Sequence, residues 1–483
     1  MEKKSQPNIK KNFLYSTFYQ VLCLITPFIT SPYISRVLGS SGVGIYSYTN
    51  SIAAFFIMFA SLGVSSYGER EIARNRDDIN KRSKLFYEIE LLVILTTTVV
   101  TIAWLILAFF YKKYSLYLFV LTIQIFGTAF DITWFFGGLE QYHYVIKKNS
   151  ICKLLCVISI FIFVKSKEHV WIYILIIVLS CFLGNISTWL ALPKLLVRVD
   201  KKELCIKRHF KETLVYFIPT IATSIYTILD KTMIGLITDD NSMNGYYESA
   251  TKIVNMGKTF AFVSINGVMQ ARMSYLFSNN DIDEIHSKID TTLEYILFMS
   301  VAISFGIAGI AKGFVPWFFG EDFLSMTSML IMLSPIILII GISNCIGSLY
   351  YTPAGFRKQS TRYLIVGSIT NLILNSILIP LYSGYGAIIG SLAAESVITI
   401  LYVKNAGEYF NFSILFKKMW KKMLAGIIML IVLFLLRNME PSIINTIIQI
   451  MIGGLTYCII LLVLKDEFVV KIIKRGFEWL NSR

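Results

Sequence analysis

The sequence predicts an all-α protein that crosses a membrane about fourteen times. Three observations predict this class. Of the 483 residues, 55% are hydrophobic and 16% are charged, whereas soluble domains are about one quarter charged. The mean hydropathy is +0.64. The apolar residues fall into runs of roughly 17–25 residues, and a helix of that length crosses a hydrocarbon core about 30 Å thick.

The predicted spans follow one another along the whole chain. They lie near residues 13–35, 43–66, 85–110, 115–138, 145–164, 170–192, 213–236, 249–271, 292–315, 325–349, 361–380, 385–403, 421–437 and 442–464. The span at 145–164 has the weakest pattern, because it opens with Lys147, Lys148 and Lys153. An even number of spans predicts that both termini lie on the same side of the membrane.

The distribution of lysine and arginine predicts which side that is. The formal net charge is +15, and the cations concentrate in the terminal tails and in the loops after the second, sixth and twelfth spans. In the loop after the twelfth span they are Lys404, Lys417, Lys418, Lys421 and Lys422. The positive-inside rule therefore predicts cytoplasmic termini. It also explains the net charge without a nucleic-acid partner.

Residues 1–206 are predicted to form an N-terminal lobe of six spans, residues 207–403 a C-terminal lobe, and residues 404–483 two additional spans with an amphipathic tail. A weak repeat supports the two lobes, because residues 44–52 can be laid over residues 245–253. Repeated halves are typical of transporters. The tail, residues 468–480, is predicted to lie on the membrane surface. Scattered cysteines and histidines predict no metal site, and we expect no cofactor.

Ionisable and polar side chains inside the spans are the candidate functional residues, because a charge at membrane depth needs a partner or a watery cavity. The seventh and eighth spans each carry a polar stripe at helical spacing. The stripes consist of Thr220, Thr223, Ser224, Thr227, Asp230 and Lys231, and of Glu248, Lys252, Asn255, Thr259 and Asn266. Each stripe predicts either the wall of a lumen or a seam between helices. Lys252 is also placed to neutralise Glu248, four residues away.

Each of the other charged residues in or near the spans has two possible roles. Arg36, Arg70 and Arg272 lie near span ends, where they would attract an anionic substrate or anchor the span in the headgroup region. Asp131 and Glu395 lie inside spans, where a carboxylate would carry a coupling ion or cap a neighbouring helix. The candidate path residues are therefore Arg36, Arg70, Lys231, Lys252, Asn255, Thr259 and Arg272, and the candidate coupling residues are Asp131, Asp230, Glu248 and Glu395.

Several motifs resemble one family across nearly the whole chain. They are PYISRVLG at 32–39, GVGIY at 42–46, LGVSSYGEREIAR at 62–74, NLILNSILIP at 371–380, GYGA at 384–387 and GSLAAE at 390–395. These residues are similar to the polysaccharide-unit flippases of the multidrug/oligosaccharidyl-lipid/polysaccharide exporter (MOP) superfamily. The resemblance implies two six-helix lobes arranged in a V, as in multidrug exporters of that superfamily, with two extra C-terminal helices.

The resemblance also implies a function in the bacterial inner or plasma membrane. The expected substrate is an undecaprenyl-diphosphate-linked oligosaccharide, moved from the inner to the outer leaflet by alternating access for capsule, O-antigen or exopolysaccharide synthesis. Membrane lipids, a polysaccharide polymerase and a chain-length regulator are the expected further partners.

The alternatives within the superfamily are a multidrug or small-molecule antiporter and a peptidoglycan-precursor flippase. A membrane polysaccharide polymerase or ligase is the alternative of another class. The short outer loops argue against a polymerase, and no GxxxxGK(S/T) phosphate-binding loop is present to support an ATPase. We therefore expect a transporter rather than an enzyme.

Overall fold

The computed structural model describes residues 9–481 and forms helices throughout, without a strand in that range. Side chains are described from residue 19 onward, except at positions 201, 219, 222, 223, 225–227, 264, 475–477 and 479–481. The helices of the N-terminal part are α1 (Ile9–Ser61), α2 (Val64–Arg74), α3 (Ile79–Phe110), α4 (Ser115–Phe126), α5 (Thr133–Gly138), α6 (Tyr142–Phe163), α7 (Val170–Thr188) and α8 (Lys207–Thr238). Those that follow are α9 (Asn241–Lys258), α10 (Ser264–Ser278), α11 (Ile282–Phe319), α12 (Met326–Leu333), α13 (Ile336–Ile346), α14 (Arg357–Tyr382), α15 (Gly384–Asn405), α16 (Phe412–Leu435), α17 (Ile443–Val463) and α18 (Glu467–Asn481).

Each predicted span lies on one of these helices or on a run of them. The first two spans share α1, which is interrupted at Gly39 (φ 70°, ψ 177°), a backbone conformation open to glycine because it lacks a Cβ atom. Among the described residues, nine helical segments are long and apolar enough to cross a membrane. The helices outside that set, such as α6 with its lysines, carry more charge. The protein is an all-α polytopic membrane protein, as predicted.

The outward surface of the helices is apolar, which fits lipid as the solvent. On α3, for example, Val99 is 61% exposed and Phe110 is 73% exposed, although both are large hydrophobic residues. A water-soluble protein would bury such a continuous set of side chains. Backbone groups along these surfaces are bonded within the helices, as a hydrocarbon environment requires.

Packing divides the chain into two compact units, residues 1–232 and residues 233–483. In the first unit, α3 packs against α1 and α4, and α6 packs against α7. An aromatic cluster of Phe86, Trp134, Phe135 and Phe136 fills its interior. The division falls within α8. The boundaries predicted at 206/207 and 403/404 stay predictions.

In the second unit, α11 packs against α16 and α17, so the two helices after the second lobe are attached to α11. A buried ion-pair cluster holds them there. Lys422 of α16 contacts Glu294 of α11 (2.5 Å) and Asp466, which follows α17 (3.0 Å). Lys422 is 1% exposed. Lys422 therefore lies on a helix and not in a loop, because α16 begins ten residues earlier, at Phe412. Its position on the cytoplasmic side stays a prediction.

The C-terminal tail forms a helix, α18, at the position predicted for the amphipathic segment. Its first turns pack on the second unit through Val469, which is buried beside Met429 and Leu461. Lys471 and Lys474 are exposed. Contact of this helix with headgroups stays a prediction, and its side chains at 475–477 and 479–481 lie outside the described ones.

Candidate functional site

The polar stripe of α9 begins with an ion pair between Glu248 and Lys252. Lys252 Nζ lies 3.3 Å from Glu248 Oε1, one helical turn away. The Lys252 side chain is 31% exposed, whereas Glu248 is nearly buried. The structure thus contains the pairing that the spacing suggested, and it leaves the ammonium group partly accessible. Both readings of Lys252, as path residue and as counter-charge, remain compatible with this geometry.

The next two residues of the stripe lie at the end of α9. Asn255 is exposed, and Thr259 is half-buried with its hydroxyl donating to the Asn255 carbonyl at 2.9 Å. Phe260, on the neighbouring face, is 56% exposed. Exposed polar and exposed apolar residues therefore follow one another around this helix, as expected where one face meets water and another meets lipid.

The last residue of the α9 stripe, Asn266, does not lie on the exposed face that carries Asn255. Residues Thr259–Val263 form a π-helical turn between α9 and α10. A π turn accommodates an extra residue, so the helix beyond it is rotated by about 100° relative to an uninterrupted α-helix. Asn266 is consequently buried, and its Nδ2 donates to Asn344 Oδ1 at 2.5 Å. For Asn266 this geometry fits the second alternative, a seam between helices.

The polar residues of α8 lie partly outside the described side chains. Thr223 and Thr227 are among the positions not described, and the Thr220 hydroxyl donates to the Tyr216 carbonyl at 3.1 Å. Asp230 is buried, Lys231 is half-buried, and both take part in hydrogen-bonding or electrostatic interactions. The adjacent Thr232 shares a hydrogen bond of 2.7 Å with Ser51 of α1. This end of α8 is therefore fixed to α1.

The three candidate arginines are exposed. Arg70 contacts Tyr216 through both a hydrogen bond and the ring face, and it lies 3.6 Å from Glu71. Arg272 forms an ion pair of 2.7 Å with Glu284. Arg36 donates to the Pro32 carbonyl at 3.1 Å. These contacts leave part of each guanidinium open to an anion or to headgroups.

Asp131 lies two residues before the start of α5 and one residue before its N-cap, Ile132. It ends a 3₁₀ turn (Gly127–Phe130) and accepts hydrogen bonds from the Thr133 amide (3.0 Å) and the Thr133 hydroxyl (2.7 Å). Both bonds go to Oδ1. The carboxylate therefore stabilises the start of α5, because the first amides of a helix lack partners within the helix.

Glu395 faces a lysine that the sequence reasoning missed. Glu395 is buried in α15, and its charge acts on Lys258 at the end of α9. Lys258 lies off the stripe defined by Lys252 and Asn255, so the helical spacing excluded it. A lysine inside an apolar span would itself have been a sufficient signal. The two residues carry opposite charges, and Lys258 directly precedes the π turn.

A second missed cluster lies in the first unit. The buried Glu88 carboxylate accepts bonds from the Cys205 amide (2.9 Å), from His209 Nε2 (2.8 Å) and from Arg208. The Tyr67 hydroxyl lies 2.6 Å from His209 Nδ1. The cluster fixes the start of α8 to α2 and α3. Its members are far apart in the sequence, and no local pattern connects them.

These features define a class of protein. Two helical units carry charged and polar side chains inside apolar helices, and no group of metal-ligating side chains occurs among the described residues. Apolar helices that carry buried charged and polar side chains characterise a multi-pass membrane protein. Residues 9–277 match the family model described as "Polysaccharide biosynthesis protein", and the chain belongs to that family.

Known proteins with similar sequences and folds are transporters rather than enzymes. A protein of Shigella dysenteriae named "Putative O-antigen transporter" is 25% identical over 410 residues, which cover 82% of this chain and 99% of the relative. The solved structure of the lipid II flippase MurJ, in an inward closed conformation, has a TM-score of 0.74 at 17% identity and covers 95% of this chain and 99% of that one. An inward-facing multidrug transporter of the MATE family, in the MOP superfamily, has a TM-score of 0.59 at 12% identity, with coverages of 86% and 95%. These two likenesses establish the fold.

Proposed function

We propose that this chain is a flippase that moves a polyprenyl-diphosphate-linked oligosaccharide from the inner to the outer leaflet of a bacterial inner membrane. The observation that carries the proposal is the match to the polysaccharide biosynthesis family together with the O-antigen transporter relative, which aligns over 99% of its length. The cargo would be a repeat unit of O-antigen, capsule or exopolysaccharide. A polymerase and a chain-length regulator would use the product on the outer side.

The electrostatics of the chain support this substrate class. A diphosphate-linked glycan is anionic, and the candidate path contains the cations Arg36, Arg70, Lys231, Lys252 and Arg272. Of these, Lys252 and Lys231 are half-buried, so their charges act through less solvent than those of the exposed arginines. Asn255 and Thr259 would supply hydrogen bonds to the sugars.

The proposed direction of transport agrees with the membrane potential. If both termini are cytoplasmic, as the charge bias predicts, the substrate is loaded on the negative side of the membrane. Moving an anion outward then releases about 2.3 kcal/mol per charge per 100 mV. Alternating access between the two units would complete the cycle. An ion gradient would add to this driving force through one or more of Asp131, Asp230, Glu248 and Glu395.

A deletion strain tests the function directly. Loss of the protein should remove the surface polymer and leave the lipid-linked repeat unit in the inner leaflet, where an external glycan-modifying enzyme does not reach it. Re-expression of the full chain should restore both. Surface polymer that persists in a strain without a second exporter would refute the flippase. Accumulation of the peptidoglycan precursor instead would reassign the cargo.

A further inference from the structure

Glu90 is a buried carboxyl in α3 that the transport scheme above does not use. Its side chain is 4% exposed, and neither Oε1 nor Oε2 has a hydrogen-bond partner in the described part of the chain. An ionised carboxylate in this position would lose its hydration without a replacement donor, which is a large free-energy cost. A neutral carboxylic acid avoids most of that cost. The surroundings of Glu90 therefore favour its protonated form.

Glu88, two residues earlier in α3, shows that burial alone does not produce this state. Glu88 is as buried as Glu90, but both of its oxygens accept hydrogen bonds, from the Cys205 amide and from His209 and Arg208. It has the partners that an ionised carboxylate requires. The two carboxyls point to different sides of the same helix, and among the described side chains and amides the hydrogen-bond donors lie on the side of Glu88.

Glu90 lies on the face of α3 that packs against α4 and the residues that follow it up to Asp131. We call this contact, which contains several polar side chains, the α3–α4 seam. The two helices are joined by a short turn and pack together, and Trp104 Nε1 donates to the Leu118 carbonyl across the seam at 3.0 Å. The two helices run in opposite directions. Starting from the Trp104–Leu118 contact, a residue seven positions earlier in α3 therefore lies beside a residue about seven positions later in α4. This register places Thr97 level with Gln124, and Glu90 level with Asp131. Thr97 Oγ1 and Gln124 Oε1 are also buried without a partner among the described residues.

The charge of Asp131 acts on Glu90 across the seam. Asp131 Oδ1 accepts two hydrogen bonds from Thr133, and two negative charges side by side in a buried seam repel each other. The other elements that contact α3 include α1, α2, α5 and the start of α8, whose Arg208 and His209 bind Glu88. The cations of α2, Arg70 and Arg74, pair with Glu71. Glu69 of α2 accepts from Tyr142, and Arg82 of α3 donates to the Leu195 carbonyl.

We propose that Glu90 binds one proton in this conformation and releases it during each transport cycle, which makes the α3–α4 seam the proton site of the first unit. The proposal rests on the transport function above and names its coupling ion. Release breaks the O–H bond of the Glu90 acid, leaves the carboxylate, and passes H⁺ to water that enters the seam. Rebinding reverses these steps from water on the other side. The oxygens of Thr97 and Gln124 would line the route of that water.

Infrared difference spectroscopy on the full-length protein in lipid vesicles tests the proton itself. A buried carboxylic acid has a carbonyl band that an ionised carboxylate lacks. We expect that band in the wild type at neutral pH, and we expect Glu90→Gln to abolish it. Glu88→Gln is the matched control and should keep the band, because Glu88 is ionised. Glu203→Gln, at an exposed position, is a second control if the Glu88 variant fails to insert. A wild type without the band would overturn the proposal, whether or not the vesicles transport.

Transport measurements test whether the proton is exchanged. In vesicles with a lipid-linked oligosaccharide, a pH gradient that is acidic outside should accelerate outward movement by the wild type. Glu90→Gln should abolish this acceleration while the amount of inserted protein stays the same. An undiminished acceleration in Glu90→Gln would overturn the proposal. Loss of the acid band on addition of Na⁺ would assign the site to sodium and likewise overturn it. Absence of any transport by the wild type would instead refute the proposed function and leave the infrared result standing.

Discussion

Two lysines of the second unit are each paired with a glutamate, but they differ in burial and in the origin of their partners. Lys422 is 1% exposed and contacts Glu294 and Asp466, which lie on other elements. Lys252 is 31% exposed and contacts Glu248 of its own helix. A pair that connects separate helices contributes to folding, whereas a pair within one helix leaves the lysine available to another anion. The burial of each lysine and the location of its partners, rather than its residue type, thus distinguish a structural lysine from one that is available to a substrate.

The largest expected effect follows from breaking the Lys422 cluster. Lys422→Ala removes the lysine that contacts the buried Asp466 carboxylate, whereas Glu294 keeps its ion pair with Lys418 (2.9 Å). Removal of one partner of a buried pair costs about 3–5 kcal/mol. We expect a marked fall in the temperature of unfolding in detergent. Lys417→Ala is the matched control, because Lys417 is exposed on the same helix. Equal stability of the two variants would contradict the role assigned to Lys422.

The second prediction concerns Lys252, whose replacement we expect to affect export more than stability. Lys252→Ala should lower stability less than Lys422→Ala does, because the Lys252 side chain is 31% exposed whereas that of Lys422 is 1% exposed. It should reduce export about tenfold or more, since a hydrogen bond to a charged group contributes about 1.5–3 kcal/mol. Lys252→Arg should retain more export than the alanine variant. Export by Lys252→Ala at the wild-type rate, with normal membrane levels, would exclude Lys252 from the path.

A double variant separates the two readings of the Lys252–Glu248 pair. If Lys252 only balances Glu248, then Glu248→Gln combined with Lys252→Gln should export normally, because both charges disappear together. If Lys252 attracts the anionic substrate, the double variant should be as impaired as Lys252→Ala. Export assays with all three variants at matched membrane levels give the answer.

The smallest effect is a difference in chemical labelling at the end of α9. Single cysteines introduced as Asn255→Cys or Thr259→Cys should react with a water-soluble thiol reagent, because this face is predicted to meet water. Phe260→Cys should react slowly, since its exposed position is predicted to meet lipid. The native cysteines must first be replaced, and several of them are exposed. Fast reaction at position 260 with none at 255 and 259 would place the opposite face on the path.

Most of the fold could be predicted from the sequence, because each span is a local run of apolar residues and each run became helical. The ion pair of Lys252 was predictable for the same reason, since both residues lie on one helix turn. The partners of Lys422 were not, because Glu294 lies 128 residues away and no local pattern relates the two. The π turn at Thr259–Val263 was also not predictable, since helical spacing assumes an uninterrupted α-helix.

The π turn has a consequence for how this chain aligns with its relatives. A π turn is equivalent to an α-helix with one residue inserted. Deletion of a single residue within Thr259–Val263 would restore the regular register and turn Asn266 away from Asn344. Relatives without the turn should therefore show a one-residue gap at this point inside a transmembrane helix, where gaps are otherwise rare. Such a gap would be a structural difference between the chains rather than an alignment error.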